Sequence, residues 1–168
     1  YVAVRAESLM PFPDRMSFEE AAAVPLVFQT AWRALMTQAK VRAGEDVLIL
    51  GASGGVATAA IQIARLAGAR VFALTSSAEK VRKALELGAD FAFDRLREDA
   101  WAILAELTEG RGVDVVVENT GAETWGNSLS ALTKGGRLVT YGRTTGRMAP
   151  TNISLVFWNQ LHIIGSTM

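Results

Sequence analysis

Runs of consecutive apolar residues recur along the chain, and most of them lead into segments whose apolar positions have helical spacing. The clearest unit starts at residues 47–50, passes through a Gly- and Ser-rich bend, and continues as a helical pattern to Leu66. A continuous apolar run indicates a strand buried on both faces, as in a parallel sheet. Further runs predict strands over residues 71–74, 91–93, 113–117, 137–141 and 162–164. Strands that alternate with helices in this way predict an α/β fold with a six-stranded, doubly wound parallel sheet.

Capping and turn residues predict where the helices begin and end. Ser17 and Glu20 have the spacing of a capping box, and Pro25 is expected to end the helix that this box starts. Ser76 and Glu79 have the same spacing and predict a helix start after the second strand. The remaining helices are predicted over residues 30–39, 100–108, 124–132 and 152–159.

The bend after the first strand reads GASGGVA over residues 51–57. Its glycines allow a sharp turn and a close approach of backbone to a ligand, while the helix that follows presents free N–H groups and a positive dipole end. These features predict a site for the diphosphate of a dinucleotide. The residues expected to contact it are Ala52, Ser53, Gly54, Gly55 and Val56. Two alternatives are a tight turn without a ligand and the similar turn with which methyltransferases bind S-adenosylmethionine.

The default connectivity for this pattern is the Rossmann fold, with strand order 3-2-1-4-5-6. Ligands of such sheets bind at the carboxyl ends of the strands, near the switch point between the first and fourth strands. The loops expected at this edge are residues 51–56, 75–77, 119–121, 141–144 and 165–167.

The end of the second strand predicts which cofactor is bound. NAD sites of this fold have an acidic residue there for the ribose 2′-hydroxyl, but this chain continues as Thr75, Ser76 and Ser77. A 2′-phosphate is therefore permitted, the hydroxyls offer donors, and Lys80 adds a positive charge. We expect NADP(H) to be favoured over NAD(H). The alternatives are that Ser76 only caps a helix and that Lys80 is only solvated.

Composition argues against several classes of partner. The 168 residues carry a formal net charge of +0, so no basic excess indicates binding to nucleic acid or to an anionic membrane. No apolar run is long enough to span a bilayer, and no signal peptide is visible. Cysteine is absent, which excludes disulfides and cysteine-ligated metal within this span. We expect a cytoplasmic protein, and the start at Tyr1 leads us to expect a piece of a longer polypeptide.

Short motifs in a fixed order resemble the medium-chain dehydrogenase/reductases, especially their alcohol dehydrogenase and quinone oxidoreductase branches. The motifs lie at residues 17–25 (SFEEAAAVP), 51–57, 87–90 (LGAD), 110–114 (GRGVD), 135–139 (GGRLV) and 164–168 (IGSTM). The resemblance implies a nicotinamide-dependent oxidoreductase that transfers hydride to or from an alcohol or carbonyl compound, an enone or a quinone. It also implies that residues 1–20 are the tail of a GroES-like catalytic domain mostly absent from the chain, and that residues 21–168 are the dinucleotide-binding domain. We expect this segment alone to fold without turning substrate over.

The resemblance also implies roles for individual residues. Gln29 and Thr30 resemble positions beside the nicotinamide ring and the substrate, and Ser166 resembles a position whose backbone holds the carboxamide. Further residues expected along the cofactor are Asn119, Thr120, Tyr141 and Gly142. In zinc alcohol dehydrogenases one zinc ligand is a cysteine four residues before the counterpart of Thr30, where this chain has Leu26. Zinc dependence is therefore open, and this span has no assigned catalytic residue or metal ligand.

Other polar residues are not expected to be catalytic. Glu118 and His162 are interpreted as structural. Arg143 could meet substrate or phosphate, but it is interpreted as a solvated loop residue. The Tyr-x-x-x-Lys pair of short-chain dehydrogenases is absent. Apolar residues at 156–158 and in the last strand lie at an expected sheet edge, which predicts a homodimer through that edge. The competing interpretation of the whole chain is a cofactor-sensing module without catalysis.

Overall fold

The computed structural model describes residues 2–167, and its central feature is a six-stranded sheet in which all neighbouring strands are parallel. The strands are β1 (Asp46–Leu50), β2 (Arg70–Thr75), β3 (Phe91–Asp94), β4 (Val113–Glu118), β5 (Leu132–Thr140) and β6 (His162–Gly165). Their spatial order is β3-β2-β1-β4-β5-β6, which confirms the predicted connectivity. Because β1 and β4 are neighbours, their carboxyl ends flank the switch point of the sheet.

Helices cover both faces of the sheet. They are α1 (Phe18–Ala23), α2 (Pro25–Trp32), α3 (Gly55–Leu66), α4 (Ala78–Glu86), α5 (Ala100–Leu107), α6 (Trp125–Ser130) and α7 (Ile153–Trp158). A π-helical segment, Arg33–Ala39, continues α2, and a short 3₁₀ turn lies at Ala6–Ser8. Within residues 2–167 no helix has the length and apolar character needed to cross a membrane.

The capping signals are confirmed at one helix and wrong at another. The capping box that starts at Ser17 is present with both of its hydrogen bonds. The helix predicted from residue 30 begins at Pro25, because proline fits a first turn, where its missing N–H has no partner to lose. The second predicted capping box is wrong, since Ser77 and not Ser76 caps α4. The Ser77 Oγ accepts the N–H of Lys80 at 3.4 Å.

Strand β5 begins at Leu132, earlier than the predicted start at residue 137. The pairing of β4 with β5 shifts register between Val113, which pairs with Leu132, and Val115, which pairs with Arg137. The two glycines at 135–136 lie inside this irregular part of the strand, where the sequence suggested a helix end and a loop. Paired glycines therefore mark an irregularity within a strand here, and not the end of the preceding helix.

Alternate residues of β1 enter two separate cores, one on each face of the sheet. Val47 and Ile49 pack with residues of α2, the π-helical segment and α3, whereas Leu48 and Leu50 pack with residues of α5 and α6. All four side chains are almost completely buried, and each contributes about 2 kcal/mol of transfer free energy. Burial on both faces explains why this run is uniformly apolar.

An ion-pair network lies at the amino ends of the central strands of the sheet. Asp46 is 3% exposed and accepts hydrogen bonds from Arg70 at 2.6 and 2.7 Å and from Arg111 at 2.7 Å. Asp114 accepts the Asp46 N–H at 2.8 Å and two hydrogen bonds from Arg111 at 2.9 Å. Desolvation raises the pKa of Asp114, but the hydrogen bonds from Arg111 and the Asp46 backbone outweigh it, so this pKa lies below its usual value. The network links the amino ends of β1, β2 and β4, whereas the predicted ligand site lies at their carboxyl ends.

Candidate dinucleotide-binding site

The turn between β1 and α3 is built from backbone. Gly51 has a φ of 59°, a left-handed conformation that favours glycine, and its carbonyl accepts the N–H groups of Ser53 and Gly54 at 2.7 and 2.9 Å. α3 then begins at Gly55, with no side chain capping its first turn. The 12 residues of α3 therefore present uncapped N–H groups and a positive dipole end at the carboxyl edge of the sheet. This is the arrangement that favours a diphosphate.

Asn119, the first residue after β4, is held between two glycines. A Cβ on Gly51 would lie 2.8 Å from the Asn119 Oδ1, and a Cβ on Gly142 would lie 3.0 Å from the Asn119 carbonyl oxygen. A Cβ on Gly55 would lie 2.9 Å from Cγ1 of Val27 in α2. Glycine at these positions lets three loops and two helices converge on one place.

A cavity of about 280 Å³, here called the central cavity, lies at this convergence. Its walls come from the turn before α3, the end of β2, and the loops after β3, β4 and β5. Its lining includes Gly54 and the polar residues Ser53, Thr75, Ser76, Arg95, Asn119, Thr120, Thr144 and Thr145. An uncapped helix start beside a lining of hydroxyls and backbone groups fits the diphosphate and adenosine part of a dinucleotide.

The end of β2 carries hydroxyls and nearby cations but no carboxylate. The buried Thr75 hydroxyl donates to the Phe93 carbonyl at 3.1 Å, and the Ser76 Oγ accepts Nζ of Lys80 at 3.1 Å. Arg95, directly after β3, donates its N–H to the Thr75 carbonyl at 3.2 Å and lines the central cavity. Its exposed guanidinium forms no ion pair within residues 2–167. Sequence reasoning missed Arg95, although the predicted neighbourhood of the second and third strands was a usable signal.

The Glu118 side chain supports the loop after β4 through hydrogen bonds. Its side chain is fully buried, and its Oε1 accepts the N–H groups of Thr120 and Gly121 at 2.6 and 3.1 Å. Its Oε2 accepts the hydroxyls of Thr124 and Ser128 at 2.9 and 2.6 Å. Four donors saturate the carboxylate, which agrees with the structural role expected for it.

A second cavity, here called the edge cavity, has a volume of about 390 Å³ and lies where β5 and β6 end. Its lining includes Tyr141, Gly142, Arg143, Gly165 and Ser166. The Tyr141 and Ser166 hydroxyl oxygens are buried and have no hydrogen-bond partner among the described residues. Burial raises the pKa of Tyr141, and the charge of Glu118 raises it further, so the phenol stays protonated at neutral pH.

The predicted site residues divide into three groups. Those that line the central cavity are Ser53, Gly54, Thr75, Ser76, Asn119 and Thr120, and those that line the edge cavity are Tyr141, Gly142 and Ser166. Those that line neither cavity are Gln29, Thr30, Ala52, Gly55, Val56, Ser77 and Lys80. Ala52 is buried, with its N–H bonded to the Leu74 carbonyl at 3.0 Å, and Thr30 donates its hydroxyl to the Leu26 carbonyl at 2.7 Å.

His162 differs from expectation. It was expected to be a satisfied structural residue in an apolar strand, but it is exposed, because β6 is the edge strand of the sheet. Among the described residues no group of three or more His, Cys, Asp and Glu side chains is arranged to hold a metal ion.

Comparison with known proteins gives consistent matches. A family profile described as zinc-binding dehydrogenase matches residues 55–168. The crotonyl-CoA reductase of Streptomyces avermitilis is 35% identical over 97% of this chain and 41% of its own length. A solved NAD-dependent alcohol dehydrogenase is 44% identical with a TM-score of 0.89, over 95% of this chain and 46% of that chain. Escherichia coli quinone oxidoreductase complexed with NADPH is 30% identical with a TM-score of 0.83, over 92% of this chain and 48% of that chain.

The chain belongs to the zinc-binding dehydrogenase family and thus to the medium-chain dehydrogenase/reductase superfamily, as its motifs indicated. It has the fold of that superfamily's cofactor-binding domain. The chain spans less than half the length of these three relatives.

Proposed function

We propose that the chain is the NADP(H)-binding part of an oxidoreductase that transfers hydride between nicotinamide and an alcohol or carbonyl compound, an enone or a quinone. The observation that carries this proposal is the central cavity, which lies at the switch point beside the uncapped start of α3. The edge cavity also lies at the carboxyl ends of the strands, but beside β5 and β6. This is the direction in which a dinucleotide extends from the switch point. Residues 1–20 belong, in this proposal, to a catalytic domain that supplies the rest of the substrate site.

Residues of this chain would bind and orient the cofactor. N–H groups at the start of α3 would hold the diphosphate, and Asn119 and Thr120 would contact its neighbouring sugars. The backbone of Gly142 at the end of β5 would lie beside the ring, and the protonated Tyr141 hydroxyl could donate one hydrogen bond to the cofactor and accept another. When bound, nicotinamide supplies the hydride chemistry.

NADP(H) is proposed over NAD(H) because Lys80 and Arg95 supply cations near the end of β2. Asp94, which pairs with Thr75 across the strands, is buried and does not line the central cavity. Ser76 and Thr75 line the central cavity without an acidic neighbour on β2, and Lys80 contacts Ser76. The loop after β2 has no arginine, but Arg95 from the loop after β3 supplies a guanidinium. Its planar group can bind a phosphate through two parallel hydrogen bonds. The relatives named above include both an NAD-dependent enzyme and an NADPH complex, so the choice depends on these residues.

A homodimer through the β6 edge is also part of the proposal, as is a cytoplasmic location. β6 pairs with β5 on one side, and no described strand pairs with its other side. Ile163 on β6 and Ile153, Phe157 and Trp158 on α7 are all exposed. An unpaired strand beside apolar side chains favours association with a second copy, which would extend the sheet.

The proposal is tested by calorimetric titration of the chain with NADPH, NADH and S-adenosylmethionine in separate experiments. We expect NADPH to bind most tightly. Binding of S-adenosylmethionine without binding of NADPH would overturn the proposal and support a methyltransferase. In the complete polypeptide, NADPH binding without oxidation of NADPH by quinones, enones or aldehydes would support a cofactor sensor.

A further inference from the structure

A third cavity, of about 330 Å³, lies against the loop after β5 and is lined by two arginines to which the proposed function assigns no role. Its lining includes Trp125, Gly142, Arg143, Arg147 and Met148, and we call it the arginine cavity. Arg143 was expected to be a solvated loop residue, and Arg147 lies four positions further along the same loop.

Within residues 2–167 no ion pair neutralises the two arginines. Glu123 meets their loop through its backbone N–H, which donates to the Thr145 hydroxyl at 3.1 Å. Residues 141–152 contain both arginines and no Asp or Glu, and none of the residues lining the arginine cavity is acidic. Both arginine side chains are exposed. A pair of free guanidinium groups at a cavity is suited to carboxylate or phosphate.

The loop that carries the arginines is fixed to its neighbour. The N–H groups of Thr144 and Thr145 donate to the carbonyls of Asn119 and Thr120 at 3.2 and 2.7 Å. The Thr145 hydroxyl donates to the same Thr120 carbonyl at 2.8 Å. A cation on an anchored loop loses less entropy when it binds an anion than one on a free loop.

The position of the arginine cavity decides which ligand its cations face. It shares no lining residue with the central cavity, because Thr144 and Thr145 separate the two. It shares Thr140, Gly142 and Arg143 with the edge cavity. Arg143 is therefore on the side where nicotinamide and substrate are expected to meet, and Arg147 lines the adjoining arginine cavity alone.

We propose that Arg143 and Arg147 bind an oxyanion carried by the substrate, which makes the substrate class an enone or carbonyl compound with a carboxylate or phosphate group. This inference rests on the proposed oxidoreductase function. Trp125 borders the arginine cavity and is held by a hydrogen bond from its Nε1 to the Thr151 hydroxyl at 2.9 Å. Its fixed ring supplies an apolar wall for the uncharged part of the substrate.

Steady-state reduction by the complete NADPH-dependent enzyme tests the proposal with three related substrates. Crotonaldehyde is neutral, 4-oxo-2-butenoate replaces its methyl group with a carboxylate, and crotonyl-CoA carries phosphates. Each reduction moves a hydride from NADPH to the β-carbon and a solvent proton to the α-carbon. We expect the Arg143→Ala/Arg147→Ala variant to lower kcat/KM for an anionic substrate about 10- to 100-fold, mainly through KM. Crotonaldehyde should stay within about twofold of wild type, since it makes no charge-assisted hydrogen bond.

Controls separate this inference from the proposed function. Arg82→Ala removes an exposed arginine of α4 that does not line the arginine cavity and should change none of the three rates. Equal losses for all three substrates, or no loss for either anionic one, would overturn the inference while leaving the oxidoreductase intact. A raised Kd for NADPH in the double variant, measured by fluorescence titration, would assign the arginines to the cofactor and also overturn it. Absence of both NADPH binding and turnover in wild type would instead refute the proposed function.

Discussion

Gly51 and Asn119 meet across the switch point of the sheet, where the Asn119 amide occupies the space that a side chain on Gly51 would need. We expect Gly51→Ala to lower the free energy of unfolding by about 2 kcal/mol, because alanine is strained at a positive φ and its Cβ displaces Asn119. NADPH affinity should fall as well, since Asn119 lines the central cavity. Urea unfolding and fluorescence titration measure the two effects.

Gly135→Ala is the matched control, because Gly135 has a φ of 76° but an added Cβ would meet nothing within 4 Å. It should lose only the backbone contribution, about 1 kcal/mol, and keep its NADPH affinity. Equal effects of the two substitutions on binding would contradict the role assigned to the contact between Gly51 and Asn119.

Arg95→Ala tests the proposed 2′-phosphate site. We expect the Kd for NADPH to rise about tenfold and the Kd for NADH to stay unchanged, because only NADPH has a phosphate for this guanidinium to bind. The loss should shrink as ionic strength rises. Calorimetric titration with both cofactors measures this, with Arg82→Ala as a control of equal charge change. An equal rise in the Kd for NADH would show that Arg95 does not bind the 2′-phosphate.

Glu118 tests how the loop after β4 is supported. Glu118→Ala leaves four buried donors without their acceptor, and we expect a loss of about 3 kcal/mol in the free energy of unfolding. Glu118→Gln should lose about 1 kcal/mol, because its carbonyl oxygen keeps the backbone donors while the hydroxyls of Thr124 and Ser128 accept its amide. Thermal and urea unfolding measure both variants, with the exposed Glu123→Gln as a control. Equal losses for Ala and Gln would show that the amide cannot replace the carboxylate, which contradicts the expected role of the Gln carbonyl oxygen.

The lowered pKa of Asp114 predicts how stability depends on pH. A carboxylate whose pKa is lower in the folded state than in the unfolded state adds stability above its unfolded pKa, about 3.9. That stability is lost as the pH falls through the folded pKa. Asp114→Asn should therefore be less stable than wild type at neutral pH, and the difference should shrink below about pH 4. Urea unfolding at both pH values checks this, and a difference independent of pH would contradict it.

The proposed dimer is tested by placing a charge on the β6 edge. We expect wild type to have a dimer mass in light scattering and Trp158→Asp to have a monomer mass, because a carboxylate cannot be buried unpaired in an apolar interface. Leu66→Asp changes another exposed apolar residue, on α3 and not on β6 or α7, and should stay dimeric. A monomeric wild type would refute the dimer.

Local patterns predicted most of the fold. The apolar run of β1 and the glycines after it specify a buried strand and a tight turn through short-range geometry, so the central βα unit needed no tertiary information. The choice of Ser77 over Ser76 as a cap depends on where β2 ends, which pairing with β1 and β3 decides. The early start of β5 depends on a register shift against β4, which glycine spacing alone does not reveal.

Features of the candidate site that depend on long-range contacts were harder to predict. Arg95 lies beside Thr75 only because β3 pairs with β2, and the loop after β2 contained no arginine to suggest it. Likewise, Arg143 looks like an ordinary surface residue until Thr144 and Thr145 fix its loop against Asn119 and Thr120.

The ion-pair network around Asp46 lies at the end of the sheet away from the ligand loops, and this separation bears on how the chain can evolve. Strand alignment is secured by groups whose hydrogen bonds are already satisfied, and these groups take no part in recognition. Substitutions in the loops at the other end can thus alter cofactor or substrate preference without drawing on the contacts that keep β1, β2 and β4 in register. A fold arranged in this way can diversify its chemistry while its scaffold stays under separate selection.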